Sequence, residues 1–204
     1  DTDVIFLKGI GQKHQGLEVE GSMKLNDMIR LDGAVSFGKW KFDGDADGLY
    51  TEYAEDAPIQ TAYTYTLDGL YVGDQPQTAY VLGTTLTPMD GLRLQGIFKM
   101  YDKNYADWSP DSRELSGDAD RSQVWQAPGY NRLDLHASYK LPKVAGYDMT
   151  LTGHLFNALD AVYVQDAVDN SQYNGFGDKL HLAHNAEVFL GTPRYFNLGL
   201  TVNF

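Results

Sequence analysis

Hydrophobic and polar residues alternate one for one along the end of the chain. Phe196, Leu198, Leu200, Val202 and Phe204 fall on one side of an extended segment, with Tyr195, Asn197, Gly199, Thr201 and Asn203 on the other. Strand side chains point to opposite faces with a period of two, so this pattern predicts a strand that is greasy on one face and wet on the other. The alternation recurs at Arg132–Leu141, where Leu133, Leu135, Ala137, Tyr139 and Leu141 oppose Arg132, Asp134, His136, Ser138 and Lys140. At Ile29–Phe37 the apolar set is Ile29, Leu31, Gly33, Val35 and Phe37; at Leu92–Met100 it is Leu92, Leu94, Gly96, Phe98 and Met100. Further strands are marked by Leu17, Val19, Gly21 and Met23, by Tyr80, Leu82 and Leu86, and by Met149, Leu151, Gly153 and Leu155. The pattern predicts about seven strands of roughly 9–13 residues, the length that crosses a bilayer when tilted.

The connections alternate in length. Short turns fall at Leu25–Met28, Thr87–Gly91 and Leu141–Tyr147, with the turn formers Asn26, Asp27, Pro88, Gly91 and Pro142. Long polar segments fall between them, at about Asp43–Gln77, Ala106–Tyr130 and Asp160–Thr192. Outer-membrane barrels have short periplasmic turns and long extracellular loops, so the asymmetry assigns the two sides and sends the last strand down to a periplasmic Phe204. A soluble sandwich or lectin-like jelly roll also alternates, but its strands are usually only about 5–6 residues long.

Composition narrows the classes. The 14 Tyr, 9 Phe, 3 Trp and 21 Gly fit an all-β protein with aromatics near strand ends. The 16 basic against 28 acidic residues argue against a nucleic-acid partner, which needs clustered positive charge. The absence of Cys excludes disulfides, thiolate metal sites and cysteine nucleophiles. No apolar run reaches the ~18 residues of a membrane-spanning helix, which leaves a barrel open. The chain opens at Asp1 with no apolar targeting segment, so any signal is expected outside it.

Four stretches resemble TonB-dependent outer-membrane receptors. His14-Gln15-Gly16-Leu17-Glu18-Val19-Glu20 is similar to the family's hQGxExE strand, and Gly73-Asp74-Gln75-Pro76-Gln77-Thr78-Ala79 to the segment entering a descending strand. Tyr130-Asn131-Arg132-Leu133-Asp134-Leu135 precedes Leu155-Phe156-Asn157-Ala158-Leu159-Asp160, which looks like the vxNLfD element. Gly191-Thr192-Pro193-Arg194-Tyr195-Phe196 leads to a terminal Phe. Each motif is weak alone; their order and spacing together are fairly specific. The resemblance implies a plugged antiparallel transmembrane β-barrel of roughly 22 strands. This chain, residues 1–204, would supply about seven of them from the C-terminal part, without plug or TonB box. It implies import of a scarce nutrient: a ferric siderophore, haem, cobalamin or a glycan. The implied partners are the lipid bilayer, the N-terminal part of the barrel with its plug, TonB through the plug, the barrel assembly machinery reading Phe204, and a surface lipoprotein. A passive porin-like channel and a soluble secreted carbohydrate-binding sandwich are the alternatives.

Candidate chemistry is sparse. Glu18, Glu20, Arg30, Asp32, Arg93, Lys99, Arg132, Asp134 and His136 occupy wet faces. They are expected to face a lumen or plug, where cross-strand pairing is the first role and solute contact the second. Trp40, Tyr101, Tyr105 and Trp108 lie at outer strand ends or in loops, as an interfacial girdle or as stacking surfaces for a ligand. Asp43-Gly44-Asp45-Ala46-Asp47-Gly48 has the carboxylate spacing of a calcium loop. Its twelfth position is Ala54, so Glu52 or Glu55 would have to complete the set; an acidic solvated tip is the plainer alternative. His181 and His184 with Asp178 lack the rest of a tetrahedral zinc set. No nucleophile elbow, P-loop, HExxH or dinucleotide pattern occurs, and no enzyme activity is expected.

Overall fold

A computed structural model of the chain describes residues 4–53, 57–113, 120–143, 146–169 and 180–203. Seven long strands form one antiparallel sheet in chain order: Gln12–Lys24, Ile29–Phe42, Thr78–Met89, Leu92–Asp102, Tyr130–Lys140, Asp148–Phe156 and Tyr195–Asn203. Every neighbour in the sheet is the next of these strands along the chain, an up-and-down meander. The first two run longer than their alternation predicts, because pairing continues through Gln12↔Phe42, beyond the stretch where apolar residues alternate.

The register keeps the two faces apart across the whole sheet. Met23, Leu31, Thr84, Gly96, Leu135, Leu155 and Phe196 stand side by side on one face. One residue along each strand, Lys24, Arg30, Thr85, Gln95, His136, His154 and Asn197 stand side by side on the other. A slip of one residue in any strand would invert its faces, so the alternation itself holds the register. The apolar face is uncovered: Phe196, Leu198 and Leu200 are 74%, 73% and 58% exposed. A soluble sandwich would bury this face against a second sheet, and among the described residues none lies on it.

The short turns lie at one end of the sheet. In the first, the Asn26 carboxamide oxygen accepts hydrogen bonds from the amides of Met28 and Ile29, the local bonding that favours Asn in turns. In the second, Gly91 has φ +80°, and a Cβ there would lie 3.0 Å from the carbonyl oxygen of Lys140, so both backbone conformation and space call for glycine.

At the other end the described parts of the long segments form smaller sheets. Val4–Lys8, Ala46–Tyr53 and Pro58–Tyr65 form a three-stranded sheet, and Val164–Asp169 pairs with Glu187–Leu190 and with Asp107–Trp108. The hydrophobic core sits here and not in the wall. Phe42, Ala46, Tyr65, Leu67, Leu70 and Val124 are buried together, with Trp108, Tyr105 and Tyr71 packed against them. A wall whose apolar face meets lipid has no core of its own, whereas loops that meet water must bury their apolar residues against one another.

Candidate functional site

The polar face carries an ion network at the outer half of the sheet. Asp134, 2% exposed, accepts a hydrogen bond from Lys99 at 2.9 Å and another from the amide of Asn157 at 2.9 Å, with Arg132 3.6 Å away. Arg132 also donates to the Tyr163 hydroxyl at 3.1 Å. Arg30 pairs with Asp32 at 2.7 Å along its own strand, and Glu18 accepts a bond from the Ser36 hydroxyl across the sheet at 3.3 Å. Arg93 stands opposite Ser138, Glu20 opposite Ala34, and His136 opposite His154. All eight residues expected on the wet face, and Lys99 with them, thus lie on the polar side.

Asn157 anchors this network to the chain that follows. It is fully buried at φ +48°; its carboxamide oxygen accepts from the Ala161 amide, and its NH2 donates to the carbonyls of Ala161 and Thr192. Asp160, φ +54°, accepts from the Arg194 amide. The Asn and Asp of the vxNLfD-like element are therefore a left-handed turn whose side chains replace missing backbone partners.

The four aromatic candidates fall at three places. Tyr101 begins a ladder with Tyr130 and Tyr163 on the polar face, centroids 5.1 and 4.2 Å apart in turn, with the Arg132 guanidinium 5.5 Å from the Tyr163 ring. Trp40 stacks on His14 at 5.4 Å, and Tyr105 stacks on Tyr71 at 4.2 Å under the Lys41 ammonium. Burial, and then the neighbouring Tyr71, push the Tyr105 hydroxyl up to about 12, so it stays a neutral donor. Trp108 packs edge-on against Phe42 and tilts against Tyr65 in the loop core.

Sequence reasoning missed Gln77, which fixes Trp40. Its buried carboxamide accepts from the Trp40 amide at 3.0 Å and donates to the Trp40 carbonyl at 3.1 Å. Tyr71, Tyr130, Tyr163 and His154 were missed as well. Gln77 and Tyr130 fall inside stretches that carry the resemblance and His154 has its place on a wet face, whereas Tyr71 and Tyr163 carried no signal.

Three loop clusters bind the long segments together. Arg121 grips Asp45 with both nitrogens, at 3.0 and 2.7 Å, and the amides of Leu67 and Asp68 donate to the same carboxylate. The Arg121 hydrogen bond holds the Asp45 carboxyl below its usual range. Asp43, Asp45, Asp47 and Glu52 are not drawn together: Asp47 accepts from the Thr64 hydroxyl, Glu52 lies in the strand Ala46–Tyr53, and residues 54–56 lie outside the described residues. Among the described residues no group of three or more His, Asp or Glu is arranged to hold a metal ion.

His181 lies between two carboxylates, Nδ1 2.6 Å from Asp169 and Nε2 2.7 Å from Asp120, with the buried Arg113 3.2 Å from Nδ1. Burial disfavours the imidazolium, but the hydrogen bonds to Asp169 and Asp120 outweigh it and raise the pKa. Asp178 lies outside the described residues, as does Phe204. In the third cluster, burial, the hydrogen bond with Asp166 and the charge of Asp107 raise Asp74 to about 7. Gly73 permits this approach: a Cβ there would lie 2.7 Å from the Asp107 amide nitrogen.

The arrangement offers a two-sided wall, with an apolar face and a charged and aromatic face, and a cluster of packed loops at one end. No curated protein matches the chain. The family model described as TonB dependent receptor-like, beta-barrel matches residues 3–158, from the first described strand to the turn at Asn157. The sheet extends past that match, since Tyr195–Asn203 pairs along the whole of Asp148–Phe156. With three quarters of its length matched and its strands two-faced throughout, the chain belongs to the TonB-dependent receptor β-barrel family, whose members are outer-membrane transporters.

Proposed function

We propose that residues 1–204 form one part of the barrel wall and outer loops of a receptor that imports a scarce nutrient, a ferric siderophore, haem, cobalamin or a glycan. A plug would fill the lumen and couple it to TonB. The register-locked separation of faces carries this reading: one face suits hydrocarbon, and the other, with the Lys99–Asp134–Arg132 network, suits an aqueous or protein-filled interior. Trp40 and Tyr101 lie on the polar face near the long loops, and Tyr105 stacks on Tyr71 beside the loop core; a sugar or aromatic solute would stack there.

Uptake by cells expressing the whole receptor tests this. Accumulation of one labelled nutrient should require both the receptor and TonB. Uptake that survives loss of TonB would favour a passive channel, and cells lacking the receptor that grow normally on every nutrient class when each is limiting would remove the importer reading.

A further inference from the structure

Two imidazoles meet on the polar face in an arrangement that the ion network does not use. His136 and His154 are direct cross-strand partners, their Nδ1 atoms are 2.9 Å apart, and their rings lie at 61°. They sit in a recess of about 350 Å³ with Arg93, Gln95, Ser138 and Phe156. The Phe156 ring lies against both, its centroid 5.4 and 5.9 Å from theirs. Gln95 and Asn197 flank the pair in register.

We propose that His136 and His154 form a two-nitrogen chelate for a divalent transition-metal ion of tetragonal preference, Cu2+ or Ni2+. It rests on the reading that this face lines an aqueous lumen. The 2.9 Å contact is a hydrogen bond, so one imidazole must move its proton from Nδ1 to Nε2 before both nitrogens can bind an ion, and their spacing then favours one class of metal. Imidazole nitrogens bind such ions at about 2.0–2.1 Å, and two bonds of that length ending 2.9 Å apart enclose about 90°. That is the angle between adjacent ligands in a square-planar or octahedral set, whereas tetrahedral zinc would need the nitrogens about 3.3–3.4 Å apart. Strand pairing supplies rigidity, since opposed side chains on one face hold about 4.5–5.5 Å between Cβ atoms. Water or a solute donor would fill the remaining positions. Of the nearby charges, Lys99 is tied to Asp134, and Arg93 stands one pair away opposite Ser138.

The test uses the whole receptor in detergent and Cu2+ alone, followed by titration calorimetry and electron paramagnetic resonance. The expected result is one Cu2+ per receptor with hyperfine splitting from two nitrogens. His136→Ala and His154→Ala should each weaken binding at least tenfold, and His136→Gln, which keeps the side chain polar, should do the same. Heat-shift on gels checks that each variant is a folded barrel. Undiminished copper binding in the alanine variants, or a one-nitrogen signal, would overturn the site. Ser138→Cys separates the two readings. If a membrane-impermeant maleimide labels it and the native receptor does not bind copper, the chelate falls and the lumen stands; if the folded receptor resists this maleimide but reacts with a lipid-soluble one, the face meets lipid and the lumen reading falls with the chelate.

Discussion

At the scale of single residues, Asn157 shows how much one side chain holds together. It is fully buried, sits in the left-handed region, and joins the strand Asp148–Phe156 to the returning segment through Ala161 and Thr192. Asn157→Ala should cost on the order of 2–3 kcal/mol, because it strands buried backbone groups and leaves a Cβ at φ +48°. Chemical unfolding of the refolded receptor would measure it. Asn157→Gly relieves only the backbone conformation, so a variant that recovered most of the loss would shift the explanation from the carboxamide to the turn. The two faces make a second contrast. Leu200→Arg or Leu135→Arg should cost about 2–4 kcal/mol near the bilayer midplane, and Thr201→Arg or Ser138→Arg much less. Equal losses in lipid vesicles would contradict the assigned faces.

At the scale of elements, the clusters that join the loops should make their stability depend on pH. The His181 imidazole has a raised pKa, so its contribution is full below its unfolded value and is lost as pH rises through the folded one. Asp74, raised to about 7, works in the same direction: as pH rises from about 4 towards 7 the folded loops must ionise it beside Asp107 and Asp166. Limited proteolysis should therefore cut the loops faster at pH 9 than at pH 5. His181→Ala should cut fast at both, and Asp74→Asn should slow cleavage at high pH alone. A rate independent of pH in the native receptor would count against both clusters. The strands were legible in the sequence because their partners are the next strands and one face must be apolar throughout. The loops were not, since their contacts join distant positions. Arg121, 76 residues beyond Asp45, takes the carboxylate whose local spacing reads as a calcium ligand. Trp108 reads as a surface aromatic until Phe42 and Tyr65 are brought against it. The Asn157 motif was visible as a resemblance, but its cause, a left-handed turn bonded through its side chains, needed the fold.

At the scale of the molecule, the seven-stranded sheet has two open edges, Gln12–Lys24 and Tyr195–Asn203. An open edge presents a row of unpaired amides and carbonyls, each costing several kcal/mol in hydrocarbon, and for that reason spanning sheets close. Both edge strands carry the same two-faced pattern as the interior ones: Leu17, Val19 and Met23 on one edge and Phe196, Leu198 and Leu200 on the other are exposed apolar residues. They are built to lie at the same depth as the wall they border. Further strands of the same receptor must therefore pair with both edges, and the sheet order places them outside Gln12–Lys24 and outside Tyr195–Asn203. Hydrogen exchange on the whole receptor in detergent measures this directly. The amides of both edge strands should be protected as strongly as those of Leu92–Asp102, which has neighbours on both sides. Alternate amides that exchange freely along either edge, while Leu92–Asp102 stays protected, would show a sheet that ends there and would take the closed barrel away.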